Sequence, residues 1–148
     1  MQSDLGFEIT REVLATADVF LRESQRLFRP HKMTAAQYNV LTILAGAPDG
    51  LSQREIGDVL VVDRSNVTGL IDRLEKAGWV KRMDDPADRR VYRVMLTTAG
   101  RKRFDAVQPL YHSVVSQVTQ ELNPKQVRDA LKVLQQLQAG AMAWRLPE

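Results

Sequence analysis

Apolar residues recur at helical spacing along most of this 148-residue chain. Over residues 5–29 they repeat every three to four positions, and Pro30 is expected to end that helix. The segment from Thr34 to Gln37 has the pattern of a capping box, which predicts a second helix. This second helix is apolar on most sides and is therefore expected to be central. Residues 46–50 have the composition of a loop.

The middle of the chain predicts a helix, a tight turn and a second helix. A further capping box starts at Ser52, and residues 61–62 form the predicted turn. Asp63 is the predicted N-cap of a helix over 64–77, and Gly78 ends that helix. Its apolar residues fall on one side, so the opposite side is expected to face solvent. This apolar stripe consists of Val67, Leu70, Ile71 and Leu74.

Two alternating segments, residues 79–83 and 91–96, predict a hairpin with a charged tip. The helix that follows starts near Thr97 and contains Pro109 within an unbroken stripe, so we expect a kink and not a break. Pro124 is the predicted first residue of a last helix. The expected fold is therefore mainly α with a small β-wing.

The outer helices have apolar stripes wider than one small winged module can cover, so these helices need each other or a second chain. We expect residues 1–34 and 98–148 to form a helical dimerisation frame. Residues 35–97 are then a winged helix-turn-helix module, and the two parts form one intertwined domain. Symmetry favours a two-fold homodimer. A monomer with a self-contained helical core is the alternative.

Composition narrows the possible functions. The chain has no cysteine, which excludes disulfides, thiol chemistry and cysteine-ligated zinc. It has two histidines. No metal or cofactor is predicted. No nucleophile–base pair or phosphate loop is visible, so an enzyme is not expected. No apolar run reaches about 18 residues and no leader pattern is visible. We therefore expect a cytoplasmic, nucleoid-associated protein with no membrane partner.

Positive charge is concentrated on the predicted helix-turn-helix and hairpin. Residues 50–103 contain 12 Lys or Arg and 8 Asp or Glu, a balance of +4, whereas the rest of the chain has a balance of −1. This distribution is typical of a module that binds nucleic acid. A solvated surface of modest charge is the alternative interpretation.

The outward side of the 64–77 helix is mostly short and polar. Small residues let a helix approach the floor of a major groove, hydroxyl and amide groups pair with base edges, and long cations reach phosphates. Arg64 and Arg73 are the predicted phosphate contacts. Capping or simple solvation is the alternative for each residue. The predicted base-facing residues are Ser65, Asn66, Thr68 and Gly69.

Two further groups extend this predicted DNA-binding surface. Ser52 and Arg54 begin the preceding helix and are predicted to add a phosphate contact. At the hairpin tip, Asp88 is predicted to hold the guanidinium of Arg90 in one orientation for insertion into a minor groove. Arg89 is the predicted phosphate contact there. A solvated, salt-bridged turn is the alternative.

These segments resemble the MarR family of transcription regulators. The resemblance rests on residues 51–57, 63–80 and 85–100, whose order and spacing match the family through the winged core. It implies a recognition helix over 64–77, a wing with Arg90 at its tip, a dimer built from the terminal helices and a palindromic operator. The absence of cysteine excludes the family's thiol route to peroxide sensing, and scarce histidine disfavours metal sensing. Gly69 stands where many relatives carry a larger polar residue.

The resemblance also implies an anionic or phenolic effector, bound where the dimer helices meet the winged module. We therefore expect a homodimeric repressor that a small aromatic or phenolic ligand releases from its operator. The alternative function is a winged-helix protein-interaction module, which the polar outward face disfavours. Aromatic residues at helical spacing are more often core than ligand contacts. The predicted ligand-binding residues are Phe20, Phe28, His31, Tyr38, Tyr111 and His112.

Overall fold

The computed structural model describes residues 2–61, 64–88 and 90–145, without the side chains of residues 2, 3 and 64. The chain forms two compact units, residues 1–111 and 112–148. The expected division into a frame of residues 1–34 and 98–148 and a module of 35–97 stays a prediction. Among the described helices, none combines the length and apolar character needed to cross a membrane.

The first unit begins with two helices whose ends follow the sequence pattern. Helix α1, Gln2–Phe28, continues into a 3-10 turn over Arg29–His31. Pro30 lies inside this turn, so the α-helix ends just before it. Helix α2, Ala35–Ala45, starts at Thr34, where both reciprocal hydrogen bonds of the predicted capping box are present.

The helix-turn-helix follows, with one correction. Helix α3, Gln53–Val59, opens at the predicted capping box, and α4 covers Val67–Lys76. A 3-10 turn over Arg64–Asn66 precedes α4, so the single helix expected over 64–77 is wrong in its first turn. The physical reason is the backbone of Asn66, whose φ of −131° and ψ of 43° are outside the α-helical region. The predicted cap Asp63 lies outside the described residues.

A three-stranded antiparallel sheet completes the winged module. Its strands are β1, Leu51–Ser52, β2, Val80–Asp84, and β3, Tyr92–Leu96, in the order β1-β3-β2. The predicted hairpin of β2 and β3 is confirmed. The sequence pattern missed β1 because two residues are too few to show alternation. The chain is thus mainly helical with a small β-wing, as expected.

Helix α5, Thr98–Thr119, continues through Pro109 without a break and extends into the second unit. Gly100 lies in its first turn, where an added Cβ would be 1.9 Å from the carbonyl oxygen of Trp79. That residue directly precedes β2. A glycine is therefore required for α5 to pack against the backbone that enters the wing.

The core of the first unit packs α2, α3 and α4 against the sheet. The predicted apolar stripe of α4 is largely confirmed, because three of its four residues are buried and Val67 is partly buried. Burial of these side chains holds the polar side of α4 outward. The fully buried aliphatic residues of this core are Val40, Leu41, Leu44, Ile56, Leu60, Leu70, Ile71, Leu74, Val80, Val94 and, on α5, Val107.

Helix α6, Pro124–Ala143, belongs to the second unit and begins at Asn123 with a complete capping box. None of its described side chains is buried. An amphipathic helix with no buried side chain leaves its apolar stripe in water, which is costly unless another surface covers it. The exposed apolar residues of the second unit include Val114, Val115, Val118, Leu122, Leu131, Val133 and Leu134.

Candidate nucleic-acid interface

The outward side of α4 and of the turn before it is polar and accessible. Ser65, Asn66 and Thr68 are exposed, and Gly69 is half-exposed. Arg73 is exposed farther along the helix, while the side chain of Arg64 lies outside the described residues. The structure therefore brings the predicted base-facing residues together on one surface.

Gly69 makes room for the side chain of Asn66. A Cβ added at Gly69 would be 2.5 Å from Oδ1 of Asn66, so the carboxamide lies directly over the glycine. An amide has two donors and a carbonyl acceptor, the groups that recognise adenine in a major groove. The small residue therefore positions the Asn66 amide, a role that the sequence pattern did not suggest.

The wing tip is built by two carboxylates. Asp85 Oδ1 accepts hydrogen bonds from the backbone N–H groups of Ala87, at 2.8 Å, and Asp88, at 3.3 Å. Asp88 in turn accepts from Nε and Nη2 of Arg90, at 3.1 and 3.2 Å, and from the Arg90 backbone N–H at 3.0 Å. The predicted Asp88–Arg90 pair is therefore present.

Arg90 remains accessible although it is oriented. Its side chain is 90% exposed, and the bidentate contact with Asp88 uses one edge of the guanidinium. The hydrogen bonds from the Arg90 side chain and then from its backbone N–H lower the pKa of Asp88. The carboxylate thus stays ionised at neutral pH. The predicted phosphate contact Arg89 lies outside the described residues.

Arg93 anchors the wing turn, and sequence reasoning missed it. Its Nη1 donates to Asp85 Oδ2 at 3.1 Å, and its Nε and Nη2 donate to the carbonyl oxygens of Asp49 and Gly50 at 3.0 and 3.1 Å. Asp85 is only 14% exposed. One arginine thereby joins the wing turn to the loop before β1.

Arg82 connects the wing to both helices of the helix-turn-helix. Its Nε and Nη2 donate to Oε1 of Gln53 on α3, at 3.1 and 3.0 Å. Its Nη2 also donates to Asp72 Oδ1 at 2.5 Å, and its Nη1 donates to Glu75. Burial lowers the pKa of Arg82, but the hydrogen bonds with Asp72 and Glu75 outweigh this effect and raise it. Gln53 continues the network, because its Nε2 donates to Thr68 Oγ1 at 3.1 Å.

Two polar contacts fix the remaining ends of the helix pair. Asn39 Oδ1 accepts the backbone N–H of Val61 at 3.0 Å, which ties the turn after α3 to α2. At the start of α3, Ser52 and Glu55 form the capping box, and the Ser52 backbone N–H lowers the pKa of Glu55. Arg54 is exposed. The phosphate contacts expected of Ser52 and Arg54 stay predictions.

The predicted ligand-binding residues fall into different environments. Phe28 and Tyr38 are 1% and 6% exposed and stack on each other at 4.6 Å between ring centroids. Tyr111 packs on Tyr38 at 5.1 Å. Phe28 and Tyr38 belong to the core of the first unit, and Tyr111 is partly buried against it. A ligand could contact Phe28 and Tyr38 only if that core opened, so their ligand role stays a prediction.

The other predicted ligand-binding residues are more accessible. Phe20 is 49% exposed, His31 is half-buried, and His112 is exposed in the second unit.

Within residues 2–61, 64–88 and 90–145, no group of three or more acidic or histidine side chains could hold a metal ion.

Comparison with known proteins agrees with this geometry. A MarR family model matches residues 33–92. The chain is 36% identical over 109 residues to the multiple antibiotic resistance protein MarR of Escherichia coli K12, an alignment that covers 73% of this chain and 72% of that protein. It is 36% identical over 81 residues to the transcriptional regulator PecS of Dickeya dadantii, covering 53% of this chain. That alignment spans 49% of PecS, so the chain covers about half the length of this relative.

A solved structure gives the same answer at the level of the fold. The crystal structure of a mutant MarR from E. coli complexed with operator DNA superposes with a TM-score of 0.77 at 27% identity, and it covers 88% of this chain and 93% of that one. The exposed polar helix beside an arginine-tipped hairpin is thus the arrangement of a winged helix-turn-helix transcription regulator. The chain belongs to the MarR family.

Proposed function

We propose that this protein is a homodimeric, sequence-specific regulator that binds double-stranded DNA and acts on a palindromic operator. The observation that carries the proposal is the combination, within one compact unit, of the polar outward side of α4 with the oriented, 90% exposed Arg90. Helix α4 enters a major groove, and Arg90 enters the adjacent minor groove, where narrow A·T tracts concentrate negative potential.

Binding as a dimer is part of the proposal. Helix α6 has no buried side chain among its described residues, and a second copy of the chain would cover its apolar stripe. Two-fold symmetry would then present two α4 helices to successive major grooves, about 34 Å apart. The operator would be a two-fold symmetric sequence, and occupying it near a promoter would repress transcription at the nucleoid.

Selection from a pool of randomised duplexes at roughly physiological salt tests this proposal directly. We expect enrichment of a symmetric site whose half-sites are about one helical turn apart. Failure to enrich any sequence, with the protein folded and dimeric, would overturn the proposal and favour a protein-interaction module. A non-symmetric site bound by a monomer would overturn the dimer alone.

Release by a small aromatic or phenolic ligand is the second part of the proposal. Such a ligand would bind preferentially to dimers whose α4 helices are wrongly spaced for DNA, and a differential affinity of a few kcal/mol would suffice. A panel of small aromatic carboxylates and phenols, added to the complex with the selected duplex, provides the test. Loss of binding with a saturable dose dependence supports control by a ligand, whereas no release up to millimolar concentrations contradicts it.

A further inference from the structure

Thr68 is held by a chain of hydrogen bonds that begins in the wing. Arg82 on β2 donates two hydrogen bonds to Oε1 of Gln53. Gln53 on α3 donates through Nε2 to Oγ1 of Thr68 on α4. Arg82 is 21% exposed, and its guanidinium also contacts Asp72 and Glu75, so its position is fixed from several sides. The side chain of Gln53 on α3 thus joins β2 to α4.

This chain of contacts has a direction. A guanidinium can only donate hydrogen bonds, so its two contacts require the carbonyl oxygen of Gln53 to face Arg82. The amide nitrogen of Gln53 must then face Thr68. The amide donates to Oγ1, and therefore the hydroxyl hydrogen of Thr68 cannot point toward Gln53. The hydroxyl hydrogen therefore stays free, together with one of the two lone pairs of Oγ1. Without the contact, the hydrogen could turn toward Gln53 and leave only lone pairs facing outward.

We propose that Arg82, acting through Gln53, makes the Thr68 hydroxyl a hydrogen-bond donor toward DNA and thereby sets which base it prefers. The proposal rests on the DNA-binding function proposed above and names positioning residues for it. The preferred partners of such a donor are the acceptor groups of a major groove, namely N7 and O6 of guanine, N7 of adenine and O4 of thymine. Amino groups of cytosine and adenine can donate only to the one lone pair of Oγ1 that Gln53 leaves free, and they are therefore less favoured.

Gln53→Glu tests the direction of the chain. The substitution is nearly isosteric, and the new carboxylate keeps an acceptor for Arg82. A carboxylate cannot donate, so Thr68 must turn its hydrogen inward and present a lone pair to DNA. The test uses a panel of operator variants that differ at a single base. At one position in each half-site, we compare the affinity for bases that present an acceptor with the affinity for bases that present an amino donor. We expect this ratio to fall by about three- to tenfold. The added negative charge weakens all sequences together and cancels in this ratio.

Three further variants separate this effect from a structural one. Gln37→Glu makes the same chemical change in the capping box of α2, where glutamate is equally suitable, and should leave the ratio unchanged. Thr68→Val removes the hydroxyl, and in that background Gln53→Glu should no longer change the ratio. Arg82→Lys keeps the positive charge but removes the paired contact with Gln53. It should reduce the base preference at the same operator position and leave the salt dependence of binding unchanged.

A measurement on the protein without DNA separates failure of this proposal from failure of the DNA-binding function. In the NMR spectrum, Arg82→Lys and Thr68→Val should each shift the side-chain amide signals of Gln53 and leave those of Gln37 in place. If neither variant shifts them, the chain of contacts does not exist and the proposal is wrong. If the signals shift but Gln53→Glu weakens all operator variants equally, the contacts are structural and the proposal on base preference is overturned.

Discussion

Two arginines of the wing hairpin, Arg82 near its base and Arg90 at its tip, are held in opposite ways. Arg90 has one ion-pair partner two residues away and is 90% exposed, whereas Arg82 is 21% exposed and contacts α3 and α4. A short-range pair can orient a side chain at little cost and leave it available to a ligand. A half-buried network fixes elements against one another and has no free edge for DNA. From this comparison we expect Arg90 at the tip to contact DNA and Arg82 to align the wing with α3 and α4.

The largest expected effect is on the contact at the tip. Arg90→Ala should weaken operator binding by about 10- to 100-fold, because a charge-assisted hydrogen bond in a minor groove is worth about 1.5–3 kcal/mol. Electrophoretic or anisotropy titration of the selected duplex provides the measurement, with the dimer checked by size-exclusion chromatography. Equal affinity for the two proteins would mean that the wing does not enter the groove.

Removal of the hydrogen-bond network around Arg82 should lower the stability of the fold. Arg82→Met leaves Glu75 without its guanidinium partner and should lower the free energy of unfolding by about 1–2 kcal/mol. Asp88→Asn at the tip should leave it nearly unchanged, because exposed ion pairs contribute little. Urea denaturation compares the two variants. If Asp88→Asn lowers the free energy of unfolding as much as Arg82→Met does, the contrast between the two arginines is wrong.

Base contacts and phosphate contacts should separate on the recognition surface. Asn66→Ala should flatten the sequence preference at its position and leave the salt slope unchanged. Arg64→Ala or Arg73→Ala should reduce the slope of log affinity against log salt by about one for each arginine that no longer reaches a phosphate, with the sequence preference retained. Titrations at several salt concentrations measure both quantities. If Asn66→Ala changed the salt slope and the arginine variants changed the sequence preference, the base contacts and phosphate contacts would be assigned the wrong way round.

Gly69→Ala should produce a smaller and more specific change. The added methyl group would displace the Asn66 amide, whose Oδ1 it would approach to 2.5 Å, so the base preference near Asn66 should change. Alanine also favours the helix by about 0.5–1 kcal/mol, so thermal stability should stay equal or rise. Repeating the duplex selection and a thermal melt tests both parts. A clear loss of stability with an unchanged preference would show that the backbone, not Asn66, needs the glycine.

The smallest expected effect is that of pH on the wing tip. The folded-state pKa of Asp88 is lowered by Arg90, so this pair contributes above the unfolded pKa of about 3.9 and is lost as pH falls through the lowered folded value. The ratio of operator affinities for the wild-type protein and Asp88→Asn should therefore stay constant from pH 6 to pH 8. A ratio that varies with pH in this window would place another titrating group at the tip.

The same comparison explains how far the sequence alone could lead. The Asp88–Arg90 pair and the capping boxes of α2 and α3 join residues two or three positions apart, so their spacing alone predicts them. The contact between Arg82 and Gln53 joins residues 29 positions apart and requires the sheet register, which no local pattern contains. Strand β1 was also missed, because its two residues are too few to show alternation and its pairing partner, β3, lies far along the chain.

The ligand prediction was limited by another ambiguity. An aromatic residue on an amphipathic helix has the same spacing whether it faces a cleft or the core. Phe28 and Tyr38 stack inside the first unit, which the pattern of apolar residues could not distinguish from a binding surface. The first turn of the expected 64–77 helix failed because a 3-10 turn has nearly the same residue preferences as an α-helix end.

Footprinting of the selected duplex with the wild-type protein and Arg90→Ala tests the central claim most directly. Methylation protection reports guanine N7 in the major groove, and hydroxyl-radical cleavage reports the sugars along the minor groove. We expect the wild-type protein to protect the major groove within each half-site and the minor groove at its flank, and Arg90→Ala to lose the flanking protection alone. Flanking protection that survives in Arg90→Ala would contradict the assignment of contact to the wing tip.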